Sequence, residues 1–277
     1  MPELPEVETI RLQLQPKIVG KKIVKITILE KKQLEGDPKY ALKQTIIKLE
    51  RWGKYLSALL SNHHYLNFHL KMTGQILYAD NYQQAIYQQT IPLAYTNKMP
   101  CRLTRIIIHF SDQSCIFFND LRKFGWIKIS PNQEKPRGKD ILSSDFSLNY
   151  FQSLILKSQR PIKQLLLDQN KLAGIGNIYA NEALFLAKIN PRARNLNLKQ
   201  SKKLYRALLK TINLGIKHQG SSASDQMYIL PNGTTGKHQN YLMVYQKEKQ
   251  PCLNCQTPIK KIKQGSRSSF YCPNCQK

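Results

Sequence analysis

Four cysteines near the end of this 277-residue chain constrain its folding more than any other feature. They read Cys252-x2-Cys255, then Cys272-x2-Cys275, with residues 256–271 between. Each pair sets two thiolates on one tight turn, and two such knuckles satisfy one tetrahedral Zn²⁺. A pair of disulfides is the competing reading. It is disfavoured because no secretion signal precedes it and the cytosol is reducing. Four cysteine ligands close the coordination sphere, so one structural zinc is expected. The intervening IKKIKQGSRSSFYC (259–272) reads as a hairpin around Gly265. Cys101 and Cys115 stand alone and read as small buried hydrophobes.

Charge narrows the partners. There are 43 Lys+Arg against 17 Asp+Glu, a formal net charge of +26. Such an excess repels itself unless a polyanion is near, and nucleic acid gains further from counterion release. An anionic membrane surface is the rival. No apolar run reaches the ~20 residues that a spanning helix needs. The expectation is a cytoplasmic, bacterial-style monomer at the nucleoid, with no membrane partner.

The chain is long enough for more than one domain. Val7, Ile10 and Leu14 recur at helical spacing, which predicts a helix to about Gln15, ended by Pro16 and Gly20. Residues 22–30, 43–50, 54–61, 64–79, 103–110, 114–119 and 124–130 are rich in Ile, Leu, Val, Phe and Tyr, with Gly and Asn/Asp breaks, and read as strands. From about 145 the periodicity turns helical, in 147–157, 161–170, 177–189 and 199–219. YLMVYQ (241–246) reads as β-like. The predicted architecture is α+β and multidomain: an N-terminal β-rich domain with a leading helix (1–131), a linker (132–147), a helical domain with a long loop (148–240), and a zinc finger (241–277).

Several segments could carry chemistry. Trimming of Met1 would expose Pro2 as a secondary α-amine beside Glu3. An α-amine titrates at roughly 7.7–8.0, against about 10.4 for lysine. It can therefore attack an electrophilic carbon and form an iminium ion, with Glu3 moving protons. A loop that merely begins Met-Pro is the plain alternative. Met72, Arg122 and Phe124 form a trio of apolar finger, guanidinium and aromatic, of the kind that pries open a base stack. As a plain alternative, Met72 and Phe124 are core residues and Arg122 is a surface charge. Gly174 and Gly176 lead into a helix opened by Asn177, whose N-terminus can take a phosphate. Arg160, Lys163 and Lys171 nearby favour a nucleic-acid phosphate.

Taken in order, MPELPEVET (1–9), RWGKYL (51–56), HLKMTG (69–74), NDLRKFG (119–125), IKQLLLDQ (162–169), GIGNIYANE (174–182) and the two knuckles resemble the formamidopyrimidine-DNA glycosylases across nearly the whole chain. The resemblance implies an N-terminal β-sandwich, a helix-two-turn-helix domain and a zinc-finger hairpin. It implies excision of oxidised purines, 8-oxoguanine and formamidopyrimidines, from double-stranded DNA, then cleavage at the abasic site by β,δ-elimination. Pro2 is then the nucleophile, Glu3 the acid/base, Lys54 a proton donor, and Arg267 a binder of flanking phosphates. Asn177 becomes a phosphate clamp, and Met72, Arg122 and Phe124 fill the void, with Arg122 reading the orphaned cytosine. His69, Arg105, Arg160 and Lys163 are further expected DNA contacts. Cys252, Cys255, Cys272 and Cys275 hold the zinc.

The sequence departs from the family pattern in three places. CRLTRIII (101–108) replaces a His-x-His segment, Lys123 replaces a second arginine, and the lesion-capping loop within 220–240 has its own sequence. Two alternatives stand beside the main reading. One is an endonuclease VIII-type enzyme for oxidised pyrimidines, against which Leu4 and the intact Arg-x-Phe argue. The other is a catalytically idle protein that binds damaged DNA.

Overall fold

The computed structural model describes residues 1–92, 94–222 and 228–277. The chain forms two compact units, one of residues 1–135 with 218–239, the other of residues 136–217 with 240–277.

The first unit opens with α1 (Leu4–Ile18). It continues through β1 (Ile23–Ile28), β2 (Leu34–Glu35), β3 (Ile46–Trp52), β4 (Tyr55–Leu60), β5 (Tyr65–His69), β6 (Gly74–Ala79), β7 (Ile86–Ile91), β8 (Thr96–Lys98), β9 (Thr104–Phe110), β10 (Cys115–Asp120) and β11 (Trp126–Ser130). One sheet is ordered β1-β9-β10-β6 and the other β2-β11-β5-β4-β3. Their apolar faces share a core. Ile76, Ile106, Ile108, Ile116 and Phe118 of the first sheet cluster with Leu49, Leu56, Leu66, Phe68 and Ile127 of the second, and Val7, Ile10 and Leu14 of α1 join them. All six residues of β10 are buried. Its alternate side chains, Cys115 and Phe117, pack instead with Tyr87, Ile91, Met99 and Leu103. Burial pushes the Cys115 thiol up to about 12, which leaves it inert.

In the first unit, three differences from the sequence reading have physical causes. The helix α1 runs past Pro16 to Ile18, because a proline in the last turn forfeits one backbone bond without breaking those before it. The predicted strand 64–79 is two strands, β5 and β6, divided at 70–73. The segment 218–239 groups with the β-rich unit, because Tyr228 and Leu230 enter its core and Tyr78 N–H donates to Pro231 O at 2.8 Å.

The second unit contains β12 (Lys139–Asp140), α2 (Leu148–Leu156), α3 (Ile162–Leu166), β13 (Leu172–Ala173), α4 (Asn177–Ala187), α5 (Leu198–Lys217), β14 (Lys260–Gln264) and β15 (Arg267–Tyr271). Ser147 caps α2 by accepting from Tyr150 N–H. α5 buries Leu204, Leu208, Thr211 and Ile212 along one stripe. β14 and β15 pair as the predicted hairpin. YLMVYQ is not a strand. The Glu182 carboxylate accepts from the backbone N–H groups of Met243, Val244 and Tyr245 at 2.7, 2.9 and 2.8 Å, which removes them from any ladder.

Candidate active site and nucleic-acid interface

The head of α1 is built around one carboxylate. Glu3 N–H donates to Glu6 Oε2 at 2.8 Å, and Glu6 Oε1 accepts from Ser221 N–H at 2.8 Å. A negative group in the first turn also suits the positive end of the helix. Pro2 and Glu3 are both buried there. Glu6 thereby ties the N-terminal residues to the start of the 218–239 segment. Gly220 has a left-handed φ of +77° and approaches Glu6 so closely that a Cβ would lie 2.9 Å from its Cγ. Both facts call for glycine at this position.

Lys54 occupies the β3–β4 turn and is 7 % exposed. That turn is drawn to α1 by Arg51, whose Nε donates to Glu8 Oε2 at 2.8 Å. Burial, the largest single influence on the Glu8 carboxyl, pushes its pKa up, but Arg11 and Arg51 together outweigh it and hold the group below its ordinary range. His69, at the end of β5, is 8 % exposed and lies edge-on to Tyr55. Burial first, then Lys71 and Lys54, pushes its pKa down to about 3. Its ring is therefore neutral, and Nδ1 accepts from Lys71 N–H at 3.0 Å. This tautomer leaves the proton on Nε2, as a donor.

Met72 and the pair Arg122 and Phe124 lie on two loops that Asp120 joins. Oδ1 accepts from the Thr73 hydroxyl and from Arg122 N–H, the latter at 3.2 Å. Oδ2 accepts from Gly125 N–H at 2.6 Å and Gln33 Nε2 at 3.0 Å. Met72 is half-buried, whereas Arg122 and Phe124 are exposed, with the guanidinium 4.7 Å from the Phe124 ring centroid. Phe124 is thus not a core residue. Arg105 spends Nε on Asp120 O at 2.9 Å and Nη1 on Arg102 O at 3.2 Å.

In the second unit, Gly176 is the N-cap of α4 and Asn177 its first residue. Gln169 braces the preceding turn, donating to Ile175 O at 2.7 Å and accepting from Gly174 N–H at 3.0 Å. Arg160 is exposed and pairs with Asp168 at 3.2 Å. Lys163 differs from the expectation of a surface phosphate contact. It is 1 % exposed, and its Nζ donates to Ser268 O at 2.7 Å and Ser269 Oγ at 2.8 Å. Its ammonium holds β15, on which Arg267 is exposed. Phe270 N–H donates to Asn181 Oδ1 at 2.8 Å, a second brace on the same strand.

The four C-terminal cysteines offer sulfur atoms that all lie within 4.8 Å of one another. Sγ separations of 3.4 and 3.9 Å bracket the ~3.8 Å edge of a tetrahedron with Zn–S bonds of about 2.3 Å. Asn254 N–H points at Cys252 Sγ and Cys275 N–H at Cys272 Sγ, both at 3.4 Å, an arrangement that suits thiolates. The donor set fits one structural zinc. It roots the β14–β15 hairpin, whose Phe270 packs with Phe185 and Val244 around Cys252 and Cys272.

Sequence reasoning does not find Glu6, Asp120, Glu182 or the role of Lys163. Asp120 and Glu182 lie inside recognisable motifs, so a signal is present. The acceptor geometry that explains them is not. The part of the expected lesion-capping loop at 223–227 lies outside the described residues.

Three family models cover most of the chain. The formamidopyrimidine-DNA glycosylase N-terminal domain matches residues 1–127, its H2TH domain 138–227, and the zinc finger found in FPG and IleRS 249–277. The formamidopyrimidine-DNA glycosylase of Pelotomaculum thermopropionicum is 37% identical, covering 100% of this chain and 99% of that protein. That of Ureaplasma parvum is also 37% identical, over 100% of both. Among solved structures, the MutM (Fpg) protein of Thermus thermophilus matches with a TM-score of 0.86 at 31% identity, covering 99% of this chain and 98% of that one. Lactococcus lactis Fpg bound to abasic-site DNA matches with a TM-score of 0.85 at 31% identity, covering 99% of each. The fold and the zinc module define a zinc-finger DNA glycosylase of base-excision repair. The chain belongs to the formamidopyrimidine-DNA glycosylase family.

Proposed function

We propose that this enzyme excises oxidised purines from duplex DNA and then cuts the strand, using Pro2 as nucleophile. The observation that carries the reading is the buried Pro2-Glu3 pair at the head of α1, fixed by Glu6, in a chain of this family. Once Met1 is removed, the Pro2 nitrogen attacks C1′ of the damaged nucleotide. The C1′–base bond breaks, and the base leaves with a proton. Glu3 protonates the sugar ring oxygen, the ring opens, and the Pro2 nitrogen and C1′ are joined as an iminium. This cation acidifies the C2′ proton. Its removal expels the 3′ phosphate in the β-elimination, and a second proton loss expels the 5′ phosphate in the δ-elimination. Lys54 donates a proton near the damaged nucleotide. Arg267 binds the flanking phosphates and assists the last step, with zinc holding its hairpin.

Met72, Arg122 and Phe124 fill the space left by the extruded base, and Arg122 faces the orphaned cytosine. His69 through Nε2–H, together with Arg105, Arg160 and Asn177, contacts the DNA backbone. The net charge of +26 drives the encounter and makes it salt-dependent. Domain roles follow the compact units, with catalysis in 1–135 together with 218–239, DNA binding in the helices of 136–217, and the finger in 241–277. Such a substrate suits a monomeric enzyme at the bacterial nucleoid. Among the described residues no helix is long and apolar enough to cross a membrane.

One observation favours a second substrate class on the same site. A Lactococcus lactis Fpg structure with a TM-score of 0.85 holds DNA with an oxidised pyrimidine. The test is single-turnover incision of duplexes with 8-oxoguanine opposite cytosine, or an oxidised pyrimidine, by the Met1-free chain and by a chain that retains Met1, in which the Pro2 nitrogen is an amide and cannot attack. Faster incision at 8-oxoguanine, lost when Met1 is retained, is expected. Faster incision at the pyrimidine reverses the substrate assignment, and full activity with Met1 retained overturns the nucleophile.

A further inference from the structure

We infer that Asp120 is a positioning residue that locks the two void-filling loops into one rigid wedge and thereby sets discrimination of the base opposite the lesion. This deepens the proposed function and rests on it. The residue is fully buried, at 0 % exposure, at the end of β10. Its carboxylate meets donors from three segments: Thr73 beside Met72, the Arg122 and Gly125 amides that bracket the Phe124 loop, and Gln33 behind them. Arg122 N–H lies 3.0 Å from the Thr73 hydroxyl as well, so the loops also touch directly. Gln33 Nε2 also donates to Gly125 O at 2.8 Å, closing the ring of bonds.

The chemistry demands a carboxylate. Two oxygens face four donors, and only a group with acceptors at both positions satisfies them. The change Asp120→Asn turns one oxygen into an NH₂ group that faces the Gly125 and Gln33 N–H groups on one side, or the Arg122 N–H and the Thr73 hydroxyl on the other, so at least one N–H bond is lost in either orientation. The backbone leaves no slack to recover it. A Cβ at Gly125 would lie 2.9 Å from the Phe118 ring and 3.1 Å from Asp120 Oδ2. Lys71 and Lys123, one on each loop, hold left-handed φ of 49° and 57°. Loops wound this tightly need an internal tie to keep one arrangement. If Met72 and the Arg122–Phe124 pair enter DNA together, their relative placement decides how well Arg122 meets cytosine and rejects other bases.

The experiment compares the parent chain with Asp120→Asn in three single-turnover reactions: 8-oxoguanine excision opposite cytosine, the same opposite adenine, and strand cleavage at an abasic site in single-stranded DNA. The third reaction needs no wedge. Excision opposite cytosine should fall about tenfold to a hundredfold, as expected for a shift on the order of 1 Å. The cytosine-over-adenine preference should shrink, and single-strand cleavage should stay within about twofold of the parent on the same reasoning. Thr73→Val removes one donor and should move the same readouts more weakly, and Thr73→Ser should restore them. Thr73→Val decides the matter if Asp120→Asn does not fold. Equal loss in all three reactions, or an unchanged base preference, overturns the inference while leaving the function intact. A parent chain inactive on every substrate overturns the function instead, and the inference with it.

Discussion

Replacing Lys163 with Met keeps the unbranched apolar stem of the side chain and removes its ammonium. The structure gives that ammonium two acceptors on β15, Ser268 O at 2.7 Å and Ser269 Oγ at 2.8 Å. Hydrogen bonds to a charged donor contribute roughly 1.5–3 kcal/mol each, so the gross loss is about 3–6 kcal/mol. Much of it is offset, because Met needs no desolvation in a site only 1 % exposed. Ser269 Oγ also keeps its bond to Gln264 Oε1 at 2.5 Å. The uncompensated part is Ser268 O, whose desolvation costs about 1–3 kcal/mol. The second unit should therefore survive with a loosened β15. Arg267 begins that strand, so the step that depends on it should suffer most. We expect δ-elimination to slow about tenfold or more relative to β-elimination. A sequencing gel resolves the two 3′ ends, and a colorimetric chelator reports zinc retention. A folded, zinc-loaded Lys163→Met that gives the parent ratio of ends would refute the reasoning. Lys163 would then have no part in placing Arg267.

Three further outcomes follow from the geometry. Glu6→Gln leaves one acceptor for two backbone donors, Glu3 N–H and Ser221 N–H. Single-turnover base excision should fall about tenfold, the equivalent of the ~1.4 kcal/mol between charged and neutral hydrogen bonds, and an unchanged rate contradicts this. The His69 pKa near 3 lies below the value of about 6.5 of an unfolded histidine, so between those pH values the unfolded chain binds a proton that the folded chain refuses. Stability contributed by the neutral ring is complete above about pH 6.5 and falls by up to about 1.4 kcal/mol per pH unit below it. His69→Gln should flatten that slope by about one proton in urea midpoints taken from about pH 7 to 5, and an identical slope rules it out. Cys272→Ser, or prolonged chelation, should abolish nicking while the β-rich unit keeps its cooperative unfolding. Normal nicking by metal-free protein would remove zinc from the account.

Much of this is readable in the sequence because it rests on local rules. The Cys-x2-Cys pairs, the hairpin around Gly265 and the apolar stripe of α5 each follow from spacing alone. The sequence misleads where tertiary partners override local preference. YLMVYQ has strand composition, but Glu182, distant in sequence, takes three of its amides. The basic residues of 160–171 look alike in sequence, yet Arg160 is exposed and Lys163 is buried beneath the hairpin. The β7–β8 arm carries no clean alternation, because it lies over the outer face of β10 and buries only scattered side chains such as Tyr87 and Ile91. Asp120 is visible as a motif letter, but its four donors come from residues as far apart as Gln33 and Gly125.

The central claim is that the amine of Pro2 performs the chemistry. Its most direct test is borohydride reduction during reaction of the Met1-free chain with a duplex carrying 8-oxoguanine opposite cytosine. One covalent protein–DNA adduct is expected, with peptide mass mapping the reduced bond to the Pro2 nitrogen, and no adduct from a chain that retains Met1. An adduct on a lysine, or incision with no trappable intermediate on any substrate including a plain abasic site, would contradict it.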